Sequence, residues 1–290
     1  MSNSGALDNI RSSSTGHALS ATDWLDTHFT WMRPEYEEML QWVGIKRGWH
    51  VLDAASGSGS FLPLMSELVG SEGKIDAIDL APENISALEK RAAAEKWTTP
   101  IIARIGNILN LPYEDGTFDA VWCANTTQYL SDDELRVMLQ EFCRVVRPGG
   151  LVAVKDYDIT LQQIHPTAPT FFQHHTEAIL HSRNPEFQSY EYQLFRVVNL
   201  PQWLREAGLV ELRQKPTFIL RLQPISEIGK VFLRDFLKFH LSVVSTLELS
   251  EDEREIWRQI TDFDSPAHIF NNPDFQYRCI QTVFVGTVPG

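Results

Sequence analysis

The hydrophobic pattern between residues 49 and 156 alternates between short apolar runs and longer segments with helical periodicity. The apolar runs predict buried strands, and the periodic segments predict amphipathic helices. Regular alternation of the two is typical of a parallel sheet that is covered by helices on both faces. Strands are predicted at 49–53, 74–79, 101–105, 118–124 and 150–156, and helices at 60–69, 83–96 and 132–143.

The flanking regions do not follow this alternation. Residues 21–43 have helical periodicity, and Pro34 predicts a break there, with a second helix beginning at the proline. After Asp158 we expect helices at 167–181, 200–208 and 225–244, a helix opened by the capping box Ser250 to Glu253, and strands at 209–221 and 281–287.

These patterns predict two regions. Residues 1–45 are expected to form a mobile N-terminus and a helical lid that can be separated from a folded core. Residues 46–290 are expected to form the main domain, with inserted substrate-cap helices near 160–200 and 222–275.

The turn after the first predicted strand carries the candidate chemistry. The strand ends on Asp53, and Gly57 and Gly59 follow just before a helix, so backbone N–H groups would face a bound ligand. Leu62 stands where a dinucleotide fingerprint has its third glycine, and Asp53 would repel a pyrophosphate. An acid suits an ammonium or sulfonium instead. Asp79 closes the next strand and suits ribose hydroxyls, so a cationic nucleoside such as S-adenosylmethionine is predicted.

Five motifs occur in order between Trp49 and Asp158. They are Val51-Leu52-Asp53-x-x-x-Gly57-x-Gly59, Ala77-Ile78-Asp79-Leu80-Ala81-Pro82-Glu83, Asn110-Leu111-Pro112-Tyr113, Phe118-Asp119-Ala120-Val121 and Val145-Val146-Arg147-Pro148-Gly149-Gly150. Together they resemble the motifs of class I S-adenosylmethionine-dependent methyltransferases of the small-molecule type, which act on natural products and quinone precursors. The resemblance implies an α/β fold: a Rossmann-like, seven-stranded, mostly parallel sheet with helices on both faces, an N-terminal helical lid and a C-terminal helical insertion. It also implies S-adenosylmethionine as cofactor and S-adenosylhomocysteine as product.

The resemblance also assigns a set of cofactor-contacting positions. They are Asp53, Ala55, Gly57, Gly59, Asp79, Leu80, Gly106, Asn107, Ile108 and Asn125. Two of these positions depart from the usual pattern. Ala55 replaces a loop glycine, and Asn107 replaces the Asp that commonly meets the adenine amino group, although Asn keeps an acceptor oxygen.

The general base is harder to assign. Relatives that methylate hydroxyls often carry a His near the end of the fourth strand, where this chain has Thr127-Gln128-Tyr129. We therefore expect no dominant base, with His28 of the lid as the first helper, Tyr157 as the second and Tyr129 as a group that orients the acceptor. The expected reaction is methyl transfer to a small, largely apolar metabolite of secondary metabolism.

The composition of the chain limits the classes of partner that it is expected to bind. A net charge of −13 over 290 residues and the absence of a Lys/Arg cluster argue against nucleic acid. The three cysteines are far apart and lack metal spacing, and His174, His175 and His181 do not complete a tetrahedral set, so we expect no metal. Apolar runs stay shorter than the roughly 18 residues of a membrane span, and the N-terminus lacks a signal-peptide pattern, so a cytoplasmic protein is expected.

Alternatives stay open at this point. One is methylation that triggers a cyclisation, or a cyclisation in which the cofactor is only structural. The others are a non-catalytic S-adenosylmethionine-binding protein and a protein methyltransferase, although no recognition groove is evident. A homo-oligomer through the N-terminal helices or the apolar C-terminal helix 225–244 is also open.

Overall fold

The computed structural model describes residues 13–16, 19–95, 97–168, 170–181, 196–244 and 248–290. Its strands are β1 (His50–Ala54), β2 (Lys74–Asp79), β3 (Ile101–Ile105), β4 (Phe118–Ala124), β5 (Val146–His165), β6 (Val210–Leu222) and β7 (Gln276–Thr287). Its α-helices are α1 (Thr22–Val43), α2 (Leu62–Val69), α3 (Pro82–Glu95), α4 (Asp132–Val145), α5 (Phe171–His181), α6 (Arg196–Glu206), α7 (Glu227–Val244) and α8 (Glu251–Thr261).

The strands form one seven-stranded sheet in the order β3-β2-β1-β4-β5-β7-β6. Strands β1 to β5 pair in parallel, and β7 is antiparallel to both β5 and β6. The predicted Rossmann-like α/β architecture is therefore confirmed. The chain moves outward from β1 to β3 and then returns to β4 beside β1. Ligands bind at such a switch point, outside the carboxyl ends of the strands.

Side chains of the central strands alternate between two buried clusters. Val51 of β1 belongs to one hydrophobic cluster and Leu52 to another, and Ala77 and Ile78 of β2 divide in the same way. Successive residues of a strand point to opposite faces of the sheet. Both faces are therefore covered, which explains why these strands read as continuous apolar runs.

The predicted break at Pro34 is wrong. Helix α1 runs without interruption from Thr22 to Val43 and contains Pro34. An interior proline costs about 3 kcal/mol. Met32 and Tyr36 are buried on either side of it, and burial of such side chains contributes about 1.5–3 kcal/mol each, so packing offsets the lost hydrogen bond.

Helix α1 packs into the main core of the protein, and its role as a separable lid stays a prediction. Its buried residues lie in the same hydrophobic cluster as Val51 of β1 and Ile75 of β2. They are Trp24, Trp31, Met32, Tyr36, Met39, Leu40 and Val43. The expected boundary at residue 45 does not coincide with a gap in this hydrophobic cluster. Of the N-terminal stretch 1–20 that is expected to be mobile, residues 1–12, 17 and 18 lie outside the described residues, whereas the N–H and the hydroxyl of Ser14 donate hydrogen bonds to Glu83 of α3.

Helix α7 begins at Glu227 and packs on α1. Phe232 stacks on Trp24 with ring centroids 5.1 Å apart and lies 4.6 Å from the ring of Trp31. This contact accounts for the apolar face of the predicted helix 225–244 within one chain. A homo-oligomer remains a prediction.

The predicted capping box of Ser250 with Glu253 is present, and α4 begins with a second one, formed by Ser131 and Glu134. Strands β5 and β7 are longer than predicted, because they pair with each other from Leu151–Thr287 to His165–Gln276. Much of the extra length of β5 is partly exposed, so it lacks an apolar signal. None of the described helices is long and apolar enough to cross a membrane.

Candidate cofactor and acceptor site

A cavity of about 380 Å³ lies at the carboxyl ends of β1, β2, β4 and β5, next to α1 and α7. This volume is in the range of small-molecule sites. The structure brings almost all of the predicted site residues to its wall. They are Asp53, Ala55, Gly57, Asp79, Leu80, Gly106, Asn107, Ile108 and Asn125, together with His28, Tyr129 and Tyr157.

Asp79 holds the glycine-rich turn closed. Its Oδ2 accepts a hydrogen bond from the Gly57 N–H at 2.8 Å. Its Oδ1 accepts from the Ala81 N–H at 2.9 Å and from the Asn84 amide at 3.2 Å. A carboxylate offers about four acceptor positions. Asp79 can therefore hold the loop and still receive the ribose hydroxyl that the sequence assigns to it.

The backbone of the turn explains its residue types. Ala55 has φ of +57°, a left-handed conformation that costs a residue with a Cβ about 1–2 kcal/mol. The family's glycine at this position avoids that cost. Gly57 also has positive φ, and a Cβ there would lie 2.8 Å from Cδ1 of Leu25 in α1.

Gly59 is not among the residues that line the cavity, and its contact with the cofactor stays a prediction. It has φ of +78°, and a Cβ there would lie 2.8 Å from Cγ of Leu88 and 2.9 Å from Cδ1 of Leu62. The absence of a side chain at Gly59 therefore allows Leu62 of α2 and Leu88 of α3 to pack closely against this turn.

Asp53 is the acid of the site whose charge is most perturbed by its surroundings. It is 2 % exposed, and its Oδ2 is buried without a hydrogen-bond partner among the described residues. Burial, with Asp79 nearby, raises the pKa of Asp53 to about 8. A carboxylate that is buried without a partner is costly, so this site needs a bound cation to stabilise it. The ammonium or sulfonium of S-adenosylmethionine fits that need.

The predicted adenine end is formed by the segment after β3. A Cβ at Gly106 would lie 2.5 Å from Cδ1 of Ile78, so a larger residue there would have to displace that side chain. Asn107 Oδ1 accepts a hydrogen bond from the Leu109 N–H at 2.9 Å. That contact uses one of the two lone pairs of the oxygen that replaces the family's acid. Leu80, 49 % exposed, and Ile108 provide apolar surface on either side.

The three catalytic candidates lie in the same cavity, but none is arranged as a base. The ring of His28 accepts or donates a hydrogen bond at Nε2 with the Tyr36 hydroxyl, 2.8 Å away. Burial, together with Lys155, lowers the pKa of His28 to about 3. Burial raises the pKa of Tyr157 well above its usual value. Tyr129 ends a short 3₁₀ turn at the rim.

Asp156 fixes that turn in place. Its Oδ2 accepts hydrogen bonds from the Thr127 N–H at 3.1 Å and the Thr127 hydroxyl at 2.5 Å, and its Oδ1 accepts from the Tyr157 N–H at 3.0 Å. Asp156 is 4 % exposed, and burial raises its pKa. The side chain therefore positions both candidate tyrosines.

Sequence reasoning missed Lys155 of β5, which is fully buried next to the cavity. Its ammonium donates to Asn125 Oδ1 at 2.5 Å and to Gln281 Oε1, and it lies 3.7 Å from the centroid of the Tyr36 ring. A lysine that directly continues the apolar run Leu151 to Val154 was an available signal, because lysine is almost never fully buried without a partner.

A second missed feature joins α1 to the glycine-rich turn. Asp26 Oδ1 accepts hydrogen bonds from the hydroxyls of Ser58 at 2.6 Å and Ser60 at 3.1 Å. It also accepts from Arg91 Nη2 of α3 at 2.8 Å. We call these four residues the α1 latch. No local pattern predicts it, because Asp26 and Arg91 are 65 positions apart.

Two of the histidines considered as metal ligands, His174 and His175, lie beside other side chains. His174 lies 3.5 Å from Glu253, and His175 is buried with its Nε2 2.9 Å from Nδ1 of His240. In the part of the chain that the structure describes, no group of three or more His, Cys, Asp or Glu side chains could hold a metal ion.

Comparisons with known proteins agree with this geometry. Residues 51–150 match the family model of a methyltransferase domain. The chain is 30 % identical over 153 residues to a demethylmenaquinone methyltransferase of Shouchella clausii, covering 51 % of this chain and 58 % of that protein. It is 34 % identical over 127 residues to a chloroplastic 2-phytyl-1,4-beta-naphthoquinone methyltransferase of Arabidopsis thaliana. That match covers 43 % of this chain and 48 % of that protein. The chain thus spans about half the length of the curated relatives it matches.

Solved structures show the same fold. A putative methyltransferase from Bacillus halodurans superposes with a TM-score of 0.55 at 15 % identity, covering 89 % of this chain and 100 % of that one. A Haemonchus contortus phosphoethanolamine N-methyltransferase 2, in complex with S-adenosylhomocysteine, superposes with a TM-score of 0.54 at 14 % identity. The superposition covers 93 % of this chain and 58 % of that one. Residues 51–150 therefore form a methyltransferase domain, and the chain as a whole shares the fold of these solved methyltransferase structures.

Proposed function

We propose that this protein transfers a methyl group from S-adenosylmethionine to a small, largely apolar acceptor. The observation that carries the proposal is the unpaired, buried carboxylate of Asp53 in a cavity whose opposite wall is aromatic. When bound, S-adenosylmethionine supplies a methyl group that is already activated by its sulfonium.

The chain's own residues divide this cavity into two parts. Asp53, Asp79 and the turn between Ala55 and Gly57 would hold the methionine and ribose portions, and Leu80 with Ile108 would flank the adenine. Rings of α1 and α7 border the remaining space, which suits an apolar acceptor. They include Trp24, Phe29, Phe232, Phe236 and Phe239.

Positioning and exclusion of water would supply most of the catalysis, because the leaving group is already activated. The aromatic wall excludes water, and Tyr157 and Tyr129 border the acceptor space. The names of the curated relatives favour a quinol-like acceptor. Cytoplasmic location and secondary metabolism remain predictions.

The test is methyl transfer from a methyl-labelled cofactor, followed by mass spectrometry. We expect label on 1,4-naphthoquinol and none on phosphoethanolamine, the polar acceptor class named for the structural neighbour. A cell extract treated in the same way should yield a labelled product that partitions into organic solvent. Label on the polar amine alone would contradict an apolar acceptor, and failure to bind the cofactor in calorimetry would contradict the proposal as a whole.

A further inference from the structure

The ammonium group of Lys155 has a complete set of partners inside the protein. It donates to Asn125 Oδ1 and to Gln281 Oε1, and its third neighbour is the face of the Tyr36 ring. An ammonium has three protons and no lone pair, so these three partners use it fully. The attraction to the ring face is a cation–π contact.

This arrangement fixes how the two amides point. Because Lys155 only donates, the carbonyl oxygens of Asn125 and Gln281 must face it, and their NH₂ groups face the other way. Tyr36 itself is 1 % exposed, and the hydrogen-bond partner of its hydroxyl among the described residues is His28 Nε2.

The Tyr36 hydroxyl proton is then directed to His28. The Tyr36 oxygen lies 2.8 Å from His28 Nε2. A buried hydroxyl proton needs an acceptor, and Nε2 is its partner among the described residues, so the hydroxyl donates and Nε2 accepts. A neutral imidazole whose Nε2 accepts carries its proton on Nδ1.

The other side of the histidine ring is available to a ligand. His28 lines the cavity, and Nδ1 makes no hydrogen bond with the described residues. Phe232 stacks on the ring, with centroids 5.2 Å apart and planes at 27°, which fixes its orientation. The low pKa of His28 also keeps the ring uncharged across the physiological range.

We propose that Lys155 is a positioning residue: its contact with the face of the Tyr36 ring holds the Tyr36 hydroxyl on His28 Nε2 and so keeps the proton of His28 on Nδ1, where it offers the acceptor molecule a hydrogen-bond donor. The matching group on that molecule is an oxygen with a free lone pair, a carbonyl or a phenol-type oxygen. The identity of the molecule rests on the proposed function, whereas the proton position does not. This role differs from the helper base that the sequence suggests for His28.

The proton position is measurable by NMR on protein labelled with ¹⁵N in histidine. The spectrum separates protonated from unprotonated ring nitrogens, and the His28→Gln variant assigns the His28 signals. In the wild type we expect Nδ1 protonated, Nε2 unprotonated and no titration of His28 between pH 5 and pH 8. Tyr36→Phe and Lys155→Met should each populate the other tautomer, and Lys155→Met should also raise the pKa of His28, because a nearby positive charge is removed.

Tyr157→Phe is the matched control, since it removes a tyrosine hydroxyl from the same cavity without touching the His28 hydrogen bond. It should leave the His28 tautomer unchanged. A wild-type His28 that is protonated on Nε2, or that titrates near its ordinary value of 6.5, would overturn the proposal, as would an unchanged tautomer in folded Tyr36→Phe. Calorimetry of S-adenosylmethionine on the same samples tests the proposed function separately.

Discussion

Asp53 and Asp79 end neighbouring parallel strands and face one cavity, yet their surroundings differ. The oxygens of Asp79 accept hydrogen bonds from two backbone N–H groups and an amide, whereas Oδ2 of Asp53 has no partner among the described residues. This difference divides their roles. Asp79 holds the glycine-rich turn, and we expect it to bind the ribose as well, whereas we expect Asp53 to pair with a cation of the cofactor.

The raised pKa of Asp53 predicts that a proton is released when the cofactor binds. With a pKa of about 8 Asp53 carries a proton at pH 7, and a bound ammonium or sulfonium favours the carboxylate. We expect close to one proton released per cofactor at pH 6.5, measured by calorimetry in buffers of different ionisation enthalpy. Affinity should rise with pH up to about 8, by at most about tenfold per pH unit. Proton release near zero would contradict this assignment.

The same residue has the opposite effect on the stability of the unbound protein. Its pKa is raised in the folded state, so the folded protein binds more protons than the unfolded chain between about pH 4 and pH 8, and the free energy of unfolding falls as pH rises through that window. Asp53→Asn should therefore weaken cofactor binding while raising stability at pH 8, by on the order of 2–5 kcal/mol. Asp119, a partly exposed strand acid paired with Arg147, should show no such gain when changed to Asn.

At this scale the sequence predicted the residues of the turn well and the deeper polar groups poorly. Asp53 and Asp79 were found because they end apolar runs at a spacing that a nucleoside site requires. Lys155 was missed because its partners, Asn125 and Gln281, lie 30 and 126 positions away. Hydrogen bonds between distant strands leave no local pattern.

Among the elements, α1 has the most unexpected role. The sequence predicted its helical periodicity but not its continuity through Pro34, because the cost of a proline is local whereas its compensation comes from burial against other elements. It also did not predict the α1 latch, which ties this helix to the glycine-rich turn and to α3.

The α1 latch should therefore support cofactor binding. Asp26→Ala removes the shared acceptor of Ser58, Ser60 and Arg91, so α1 and the turn would have to be ordered by the cofactor. The groups are partly exposed, so we expect a loss of about 1 kcal/mol, roughly fivefold in affinity by calorimetry. Arg33→Ala is the control, since it breaks an exposed ion pair with Glu37 on the same helix and should change affinity less than twofold. Equal effects of the two variants would mean that the latch does not act on the site.

Across the whole molecule, α1 and the sheet share one hydrophobic cluster. The alternation of strands and helices was enough to predict the sheet and its covering helices. It could not show whether the N-terminal helix is a detachable cover or part of the core, because an amphipathic pattern looks the same in both cases. The buried residues of α1 favour the second case, since they pack in one cluster with side chains from β1, β2 and α7.

If α1 belongs to the core, its buried residues should control global unfolding. Leu40 is fully buried, and Leu40→Ala should lower the free energy of unfolding by about 2–5 kcal/mol in urea, through lost burial and the cavity left behind. Gln41→Ala changes the adjacent exposed position and should stay within about 0.5 kcal/mol. Unfolding followed by circular dichroism and by tryptophan fluorescence should give coincident transitions, because α1 and the sheet lose their structure together. A separable lid would instead give two transitions, and Leu40→Ala would shift only the weaker one. That outcome would restore a boundary near residue 45.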